Sequence, residues 1–117
     1  DDAQARRLLA QAARQNYDTA QIDLAAWMIE GRGGARDLKS AFGWTKQAAE
    51  GGNVAAQNRL AKLYMQGIGT DPDLVLAGAW YIVARRAGLI DPDMDDFLQG
   101  LSDDQTKQAL QKANRLP

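Results

Sequence analysis

The sequence predicts an all-α fold, a solenoid of stacked two-helix repeats 36 residues long. Three observations carry that expectation. Shifted by 36 positions, the chain matches itself without a gap. Ala20, Gln21, Leu24, Ala25, Gly31, Gly33, Asp37, Leu38, Ala41, Trp44, Ala48 and Gly52 recur as Ala56, Gln57, Leu60, Ala61, Gly67, Gly69, Asp73, Leu74, Ala77, Trp80, Ala84 and Gly88. Apolar residues within each copy recur at helical rather than strand spacing. Glycines fall between the periodic stretches, where a helix end needs a left-handed residue.

Residues 1–17 read as the second helix of a partial repeat. Ala41, Trp44, Ala48 and Ala49, moved back by one period, land on Ala5, Leu8, Ala12 and Ala13. The chain is therefore expected to start in mid-repeat, with further copies upstream, because one helix pair cannot bury its own face.

Residues 18–53 form the first full copy. Ala20, Leu24, Trp27 and Met28 lie on one stripe of a helix that Gly31 and Gly33 stop. A second helix starts near Asp37, with Leu38, Ala41, Trp44, Thr45 and Ala48 inward, and Gly51, Gly52 and Asn53 close it.

Residues 54–89 repeat the plan through Ala56, Leu60, Leu63 and Tyr64, then Gly67 and Gly69, then Ala77, Trp80 and Ala84. Here Asp71-Pro72 reads as a helix cap with a first-turn proline. Alanine at 41, 48, 77 and 84 lets helices approach, while Trp44 and Trp80 fill the wider gaps. Gly43 and Gly78, inside helices, suggest close packing.

Residues 90–117 leave the period and read as capping helices. Asp91-Pro92 opens a short helix with Met94, Phe97 and Leu98. Ser102 and Gln105 form a capping box for a last helix with Thr106, Ala109, Leu110 and Ala113 inward. About seven helices and no sheet are expected.

Composition excludes several functions. Fourteen basic residues against 15 acidic give a net charge of -1, without the basic excess of a nucleic-acid binder. Neither Cys nor His is present. That removes the thiol nucleophile, the commonest general base and the usual zinc ligands, so no metal or cofactor is expected. No apolar run reaches the ~20 residues of a membrane helix.

The pattern resembles the Sel-one-like repeat, a relative of the tetratricopeptide repeat with a longer loop between its helices. Ala56, Leu60, Tyr64, Gly67, Gly69, Asp73, Ala77, Trp80 and Ala84 carry the likeness in one copy. Ala20, Leu24, Gly31, Gly33, Asp37, Ala41, Trp44, Ala48 and Ala49 carry it in the other. Ala25 and Ala61 stand where the family often has Gly, and Met28 where it often has Tyr. The resemblance implies a right-handed α-α superhelix used for protein interaction, common in bacteria and often exported to the periplasm or envelope. Some such proteins regulate membrane sensor kinases, and others accompany cell-wall or polysaccharide machinery.

Other motifs have plain structural readings. Trp27, Trp44 and Trp80 sit at helical spacing and read as core rather than ligand-stacking residues. Asp91, Asp93, Asp95 and Asp96 lack the Gly and Glu of a calcium loop, and read as a helix cap with a solvated acidic face. Gly31-x-Gly33 and Gly67-x-Gly69 lack the strand and Lys of a phosphate loop.

The candidate binding residues lie away from the packed stripe. Ile22, Ala26 and Ile29 share one helix face, and Asn58, Lys62 and Met65 are their counterparts. Beside Glu30 and Gln66, and with Ile22, Ile29 and Met65 exposed, they would make a mixed surface for a protein or peptide on the concave side. The sequence thus reads as a non-catalytic adaptor. One alternative is an envelope regulator that touches a sensor kinase or cell-wall machinery through its edge or its tail. An enzyme working on the cell wall through carboxylates is a poor match, since the only Glu residues are Glu30 and Glu50.

Overall fold

A computed structural model describes all 117 residues as seven helices and no strand. They are α1 (Asp2–Arg14), α2 (Asp18–Glu30), α3 (Leu38–Glu50), α4 (Val54–Gln66), α5 (Leu74–Arg86), α6 (Pro92–Gln99) and α7 (Asp103–Ala113). The boundaries of α2 and α4, and of α3 and α5, differ by one period throughout. Each helix from α1 to α5 packs against the next one in the chain, and the right-handed stack measures 48 × 22 × 21 Å. No helix is long and apolar enough to cross a membrane.

The helix starts follow from side-chain caps. Asp37, Asn53 and Asp73 accept the backbone N–H of Ser40, Ala56 and Leu76 at 3.0, 2.9 and 2.9 Å. Asp73, not Asp71, caps α5, so Pro72 precedes the helix instead of occupying its first turn. Ring packing explains this: Pro72 lies against Gly67, the left-handed residue that ends α4.

Gly33 and Gly69 do something different. Both have positive φ, 71° and 73°. A Cβ on Gly33 would collide with the Asp2 carbonyl of α1, and one on Gly69 with the Leu38 carbonyl of α3. The loop after each first helix thus rests directly on the backbone of the preceding second helix.

Small residues set the helix spacing. Ala41, Ala49, Ala56, Ala61, Ala77 and Ala84 are fully buried, with Leu24, Leu60 and Tyr81 between them. Two buried glutamines bridge helices in register. Gln21 Nε2 donates to the Ala13 carbonyl at 3.1 Å, and Gln57 Nε2 to the Ala49 carbonyl at 3.3 Å. Each thereby adds a side-chain donor to a last-turn carbonyl that also accepts a backbone N–H, from Asn16 and Gly52 respectively, at 3.1 Å.

The C-terminal helices cover α5. Met94 is buried in the core, and α7 crosses α5 at Gly78, where a Cβ would lie 3.2 Å from that of Ala109. Gly78 is therefore a close-packing position, whereas Gly43 is exposed and a Cβ there would meet nothing. Leu110 is not inward either, since Ala109 and Ala113 alone form the buried side of α7. Of the tryptophans only Trp80, at 2% exposure, is core, where it joins the cluster of Ala77, Tyr81 and Met94. Trp27 and Trp44 are half-buried, and the Arg32 guanidinium lies 4.1 Å from the Trp27 ring centre.

The two classes of glycine separate in a thermal melt. Gly69→Ala combines left-handed strain with a backbone collision and is expected to cost about 2 kcal/mol or more. Gly43→Ala, in an open helical position, is expected to stabilise by about 0.5–1 kcal/mol. Equal melting temperatures for the two variants would contradict the assignment of Gly69 as a contact between repeats.

Candidate partner-binding groove

The first helices of the repeats, α2 and α4, pack on α3 rather than on each other, and one bond joins them directly at their N-terminal ends, from Asn53 Nδ2 to Asp18 Oδ2 at 2.8 Å. A cavity of about 270 Å³ opens between them. From α2 it is lined by Ile22, Ala25, Ala26 and Ile29, the i, i+3, i+4, i+7 face of the helix. From α4 come Arg59, Lys62, Leu63 and Gln66, with Thr45 of α3 and Ile68 of the following loop completing the wall. The volume lies near the lower end of small-ligand pockets, ~300–1,000 Å³, and suits one large side chain better than a cofactor. No cluster of metal-ligating side chains occurs in the chain.

Five of the sequence candidates meet in this groove: Ile22, Ala26, Ile29, Lys62 and Gln66. Ile22 is not exposed as expected. It is buried at 7% accessibility, because it packs on the alanine seam of α3 and α4 and forms part of the floor. Met65 is likewise half-buried, packed against the core cluster that includes Tyr81 and Met94. Glu30 is exposed at the end of α2, outside the groove. Asn58 faces a different neighbour, Asp91. Thr45, Arg59, Leu63 and Ile68 were not among the expected site residues.

The next gap along the stack, between α4 and α6, is closed. Asp91, the N-cap of α6, accepts from Lys62 Nζ at 2.8 Å and Asn58 Nδ2 at 3.0 Å. The lysine and then the asparagine hold the Asp91 carboxyl well below the usual range, at about 2. Tyr81 fills the floor and is fully buried. Its hydroxyl lies 2.7 Å from Asp95 Oδ1 and accepts the Asp91 N–H at 3.0 Å. Burial, followed by the bond to Asp95, pushes the Tyr81 phenol up, so it stays neutral and can donate to Asp95. Arg85 Nη1 reaches the same carboxylate oxygen at 3.2 Å. Asp91 caps α6 as the sequence suggested and Asp93 and Asp96 are solvated, but Asp91 and Asp95 also act as structural rivets between helices.

The open and closed gaps differ at equivalent positions. Thr45 stands one period before Tyr81, and Arg59 one period before Asp95. Thr45 turns its hydroxyl back onto its own helix, donating to the Ala41 carbonyl at 2.8 Å. Arg59 is exposed and makes no ion pair or side-chain hydrogen bond. A short, buried residue (2% exposed) therefore stands where the closed gap has a ring, and an unpaired cation stands at the rim.

Comparison with known proteins places this architecture. The Sel1 repeat pattern matches residues 1–17, 18–53 and 54–89. The chain belongs to the Sel1 repeat family. A protective antigen present in uropathogenic Escherichia coli strains, described as displaying an SLR fold, superposes with a TM-score of 0.90 at 28% identity. That alignment covers 97% of this chain and 25% of the antigen. A Sel1 repeat protein from Oxalobacter formigenes aligns at 33% identity with a TM-score of 0.76, over 87% of this chain and 29% of that one. Chitin synthase regulatory factor 3 of Schizosaccharomyces pombe is 34% identical over 79 residues, which are 66% of this chain and 8% of that protein. The chain therefore spans a small part of each of these relatives.

The rivet makes stability depend on acid in a defined way. A carboxyl depressed in the folded state stabilises fully above its unfolded pKa, ~3.9, and that contribution is lost as pH falls through the folded value. Asp91→Asn keeps a capping residue but removes the charge. Near neutral pH it should cost about 1 kcal/mol, after allowance for the solvent around the partly exposed Lys62. Denaturant melts should show this gap shrinking between about pH 4 and pH 2. A gap that stays constant over that range would mean the ion pair contributes nothing.

Proposed function

We propose that this chain is a non-catalytic scaffold that holds a segment of a protein partner in the groove between α2 and α4. One observation carries the reading: of two successive gaps on this face, one is sealed by its own side chains and the other is a mostly apolar groove edged by a free cation. An unfilled apolar floor beside polar groups is the usual composition of a recognition surface. Helical repeat arrays use the face lined by successive first helices in this way. The likeness to a chitin synthase regulatory factor supports a role in regulating or assembling other proteins rather than in chemistry.

A second reading has its own observation. Ile90 and Leu110 are 78% and 42% exposed on the C-terminal elements, an apolar presentation that suits a regulator making contact through its tail or edge.

Site-specific photo-crosslinking separates the two. A crosslinking residue at Gln66 should capture the partner, while one at Leu110 should not. Ile29→Glu should weaken capture at least tenfold without changing helicity, because Ile29 is only partly buried. Capture through Leu110, unaffected by Ile29→Glu, would establish the tail reading instead.

A further inference from the structure

We propose that the polar cavity between the α1–α2 turn and the end of α3 is a second binding site, which takes a guanidinium cation such as an arginine side chain. The inference does not rest on the α2–α4 groove, since the two cavities share no lining residue.

The cavity has a volume of about 330 Å³ and is lined by Asn16, Asp18, Gln21, Gln47, Ala48 and Gly51. Gln21 is 2% exposed, and its Nε2 is committed to the Ala13 carbonyl. That leaves Oε1 as an acceptor with no donor in the protein, yet open to solvent. Gln47 gives its own Nε2 to Asn16 Oδ1 at 2.9 Å, which again leaves an oxygen free. Asp18 supplies the charge. Its carboxylate accepts from the Thr19 N–H and from Asn53 Nδ2, both at 2.8 Å, and forms no ion pair. The Asn53 bond, then the Thr19 bond, hold this carboxyl below the usual range, so it is an anion at neutral pH. Gly51 ends α3, where the last carbonyls add partial negative charge.

The second copy shows the same scaffold without a site. Gln57, one period on, bonds the Ala49 carbonyl in the same way, but Val54 stands for Asp18 and Val83 for Gln47. None of the three cavities in the chain touches Gln57, and its Oε1 is sealed from water without a donor. Where an acid and an amide replace the two valines, the space beside the buried glutamine is open.

Acceptors gathered around one carboxylate select a group that only donates. An ammonium donates from a single point, whereas the planar fork of a guanidinium can reach Asp18 and a glutamine oxygen together. An anion would be repelled by Asp18. An apolar group would strip water from Gln21 Oε1 and return nothing.

The probes are N-acetyl-argininamide, N-acetyl-lysinamide and the neutral isostere N-acetyl-citrullinamide, titrated into the full chain at low salt and followed by NMR. The arginine probe should shift the amides of Asp18, Gln21, Gln47 and Gly51 saturably, and the effect should fade as salt is raised. Lysine should bind severalfold more weakly, and citrulline more weakly still. Asp18→Asn should weaken the arginine probe roughly tenfold. Gln47→Val installs the second copy's residue at an exposed position. It should weaken the arginine probe severalfold with the melting temperature unchanged, which keeps the test open if Asp18→Asn disturbs folding. Citrulline binding as well as arginine would overturn the site, as would undiminished arginine binding to Gln47→Val. Lysine binding more tightly than arginine would overturn the guanidinium assignment. Shifts confined to Ile22, Ala26 and Ile29 would put the cation in the α2–α4 groove and reject this cavity.

Discussion

Close approach of backbones is the constraint on which this molecule depends. Gly33 and Gly69 let the loop after each first helix lie on the carbonyls of the preceding second helix, and fully buried alanines keep the helices that near along their length. With spacing fixed, long-range register follows, and the glutamine bridges from Gln21 and Gln57 recur one period apart. Larger side chains then decide only what fills the gaps. A repeat stack divides its labour in this way: invariant small residues build the array, and variable larger ones give each gap its properties.

That division accounts for what could be read from the sequence. The period, the helix pairs and the Gly-x-Gly punctuation are all local or self-referential signals, and they were legible at once. The cap on α5 was misplaced because Asp71-Pro72 and Asp73 are both plausible starts by local chemistry. What decides between them is the contact of Pro72 with Gly67. Leu110 and Trp44 failed for a related reason. Periodicity says that a residue lies on a helix face, but which face is covered depends on a neighbour that the pattern does not name.

The candidate groove was half legible. Ile22, Ala26 and Ile29 define one wall by spacing alone. On the opposite wall Lys62 and Gln66 were legible too, but the rest needed the geometry, because Arg59 and Leu63 belong to the side of α4 that faces backward along the stack, while Asn58 and Met65 face forward. A signal was available nonetheless. Position by position, the two copies differ where Thr45 answers Tyr81, an exchange of a small polar residue for a large aromatic at a core-facing site. Such an exchange leaves either a hole or a new occupant, and comparing the copies for volume rather than identity would have located it. The cap at Asp91 was legible, but the ties that Asp91 and Asp95 make to other helices were not. Their acidic surroundings suggest solvation, and only the fold brings Lys62, Asn58, Tyr81 and Arg85 to them.

The rivet at Asp91 also has a mechanical meaning. In a stack whose helices pack mainly against their immediate neighbours, bending concentrates where successive first helices are free to part. Lys62 and Asn58 of α4 and Tyr81 of α5 tie both helices to the N-terminus of α6. The joint between α2 and α4 has a lighter tie, a single bond from Asn53 Nδ2 at the start of α4 to Asp18 Oδ2 of α2 at 2.8 Å, with no ion pair. In the scaffold reading proposed above, a partner's side chain seated in that gap would bridge α2 and α4 much as Asp91 bridges α4 and α6, making the joint continuous across both repeats.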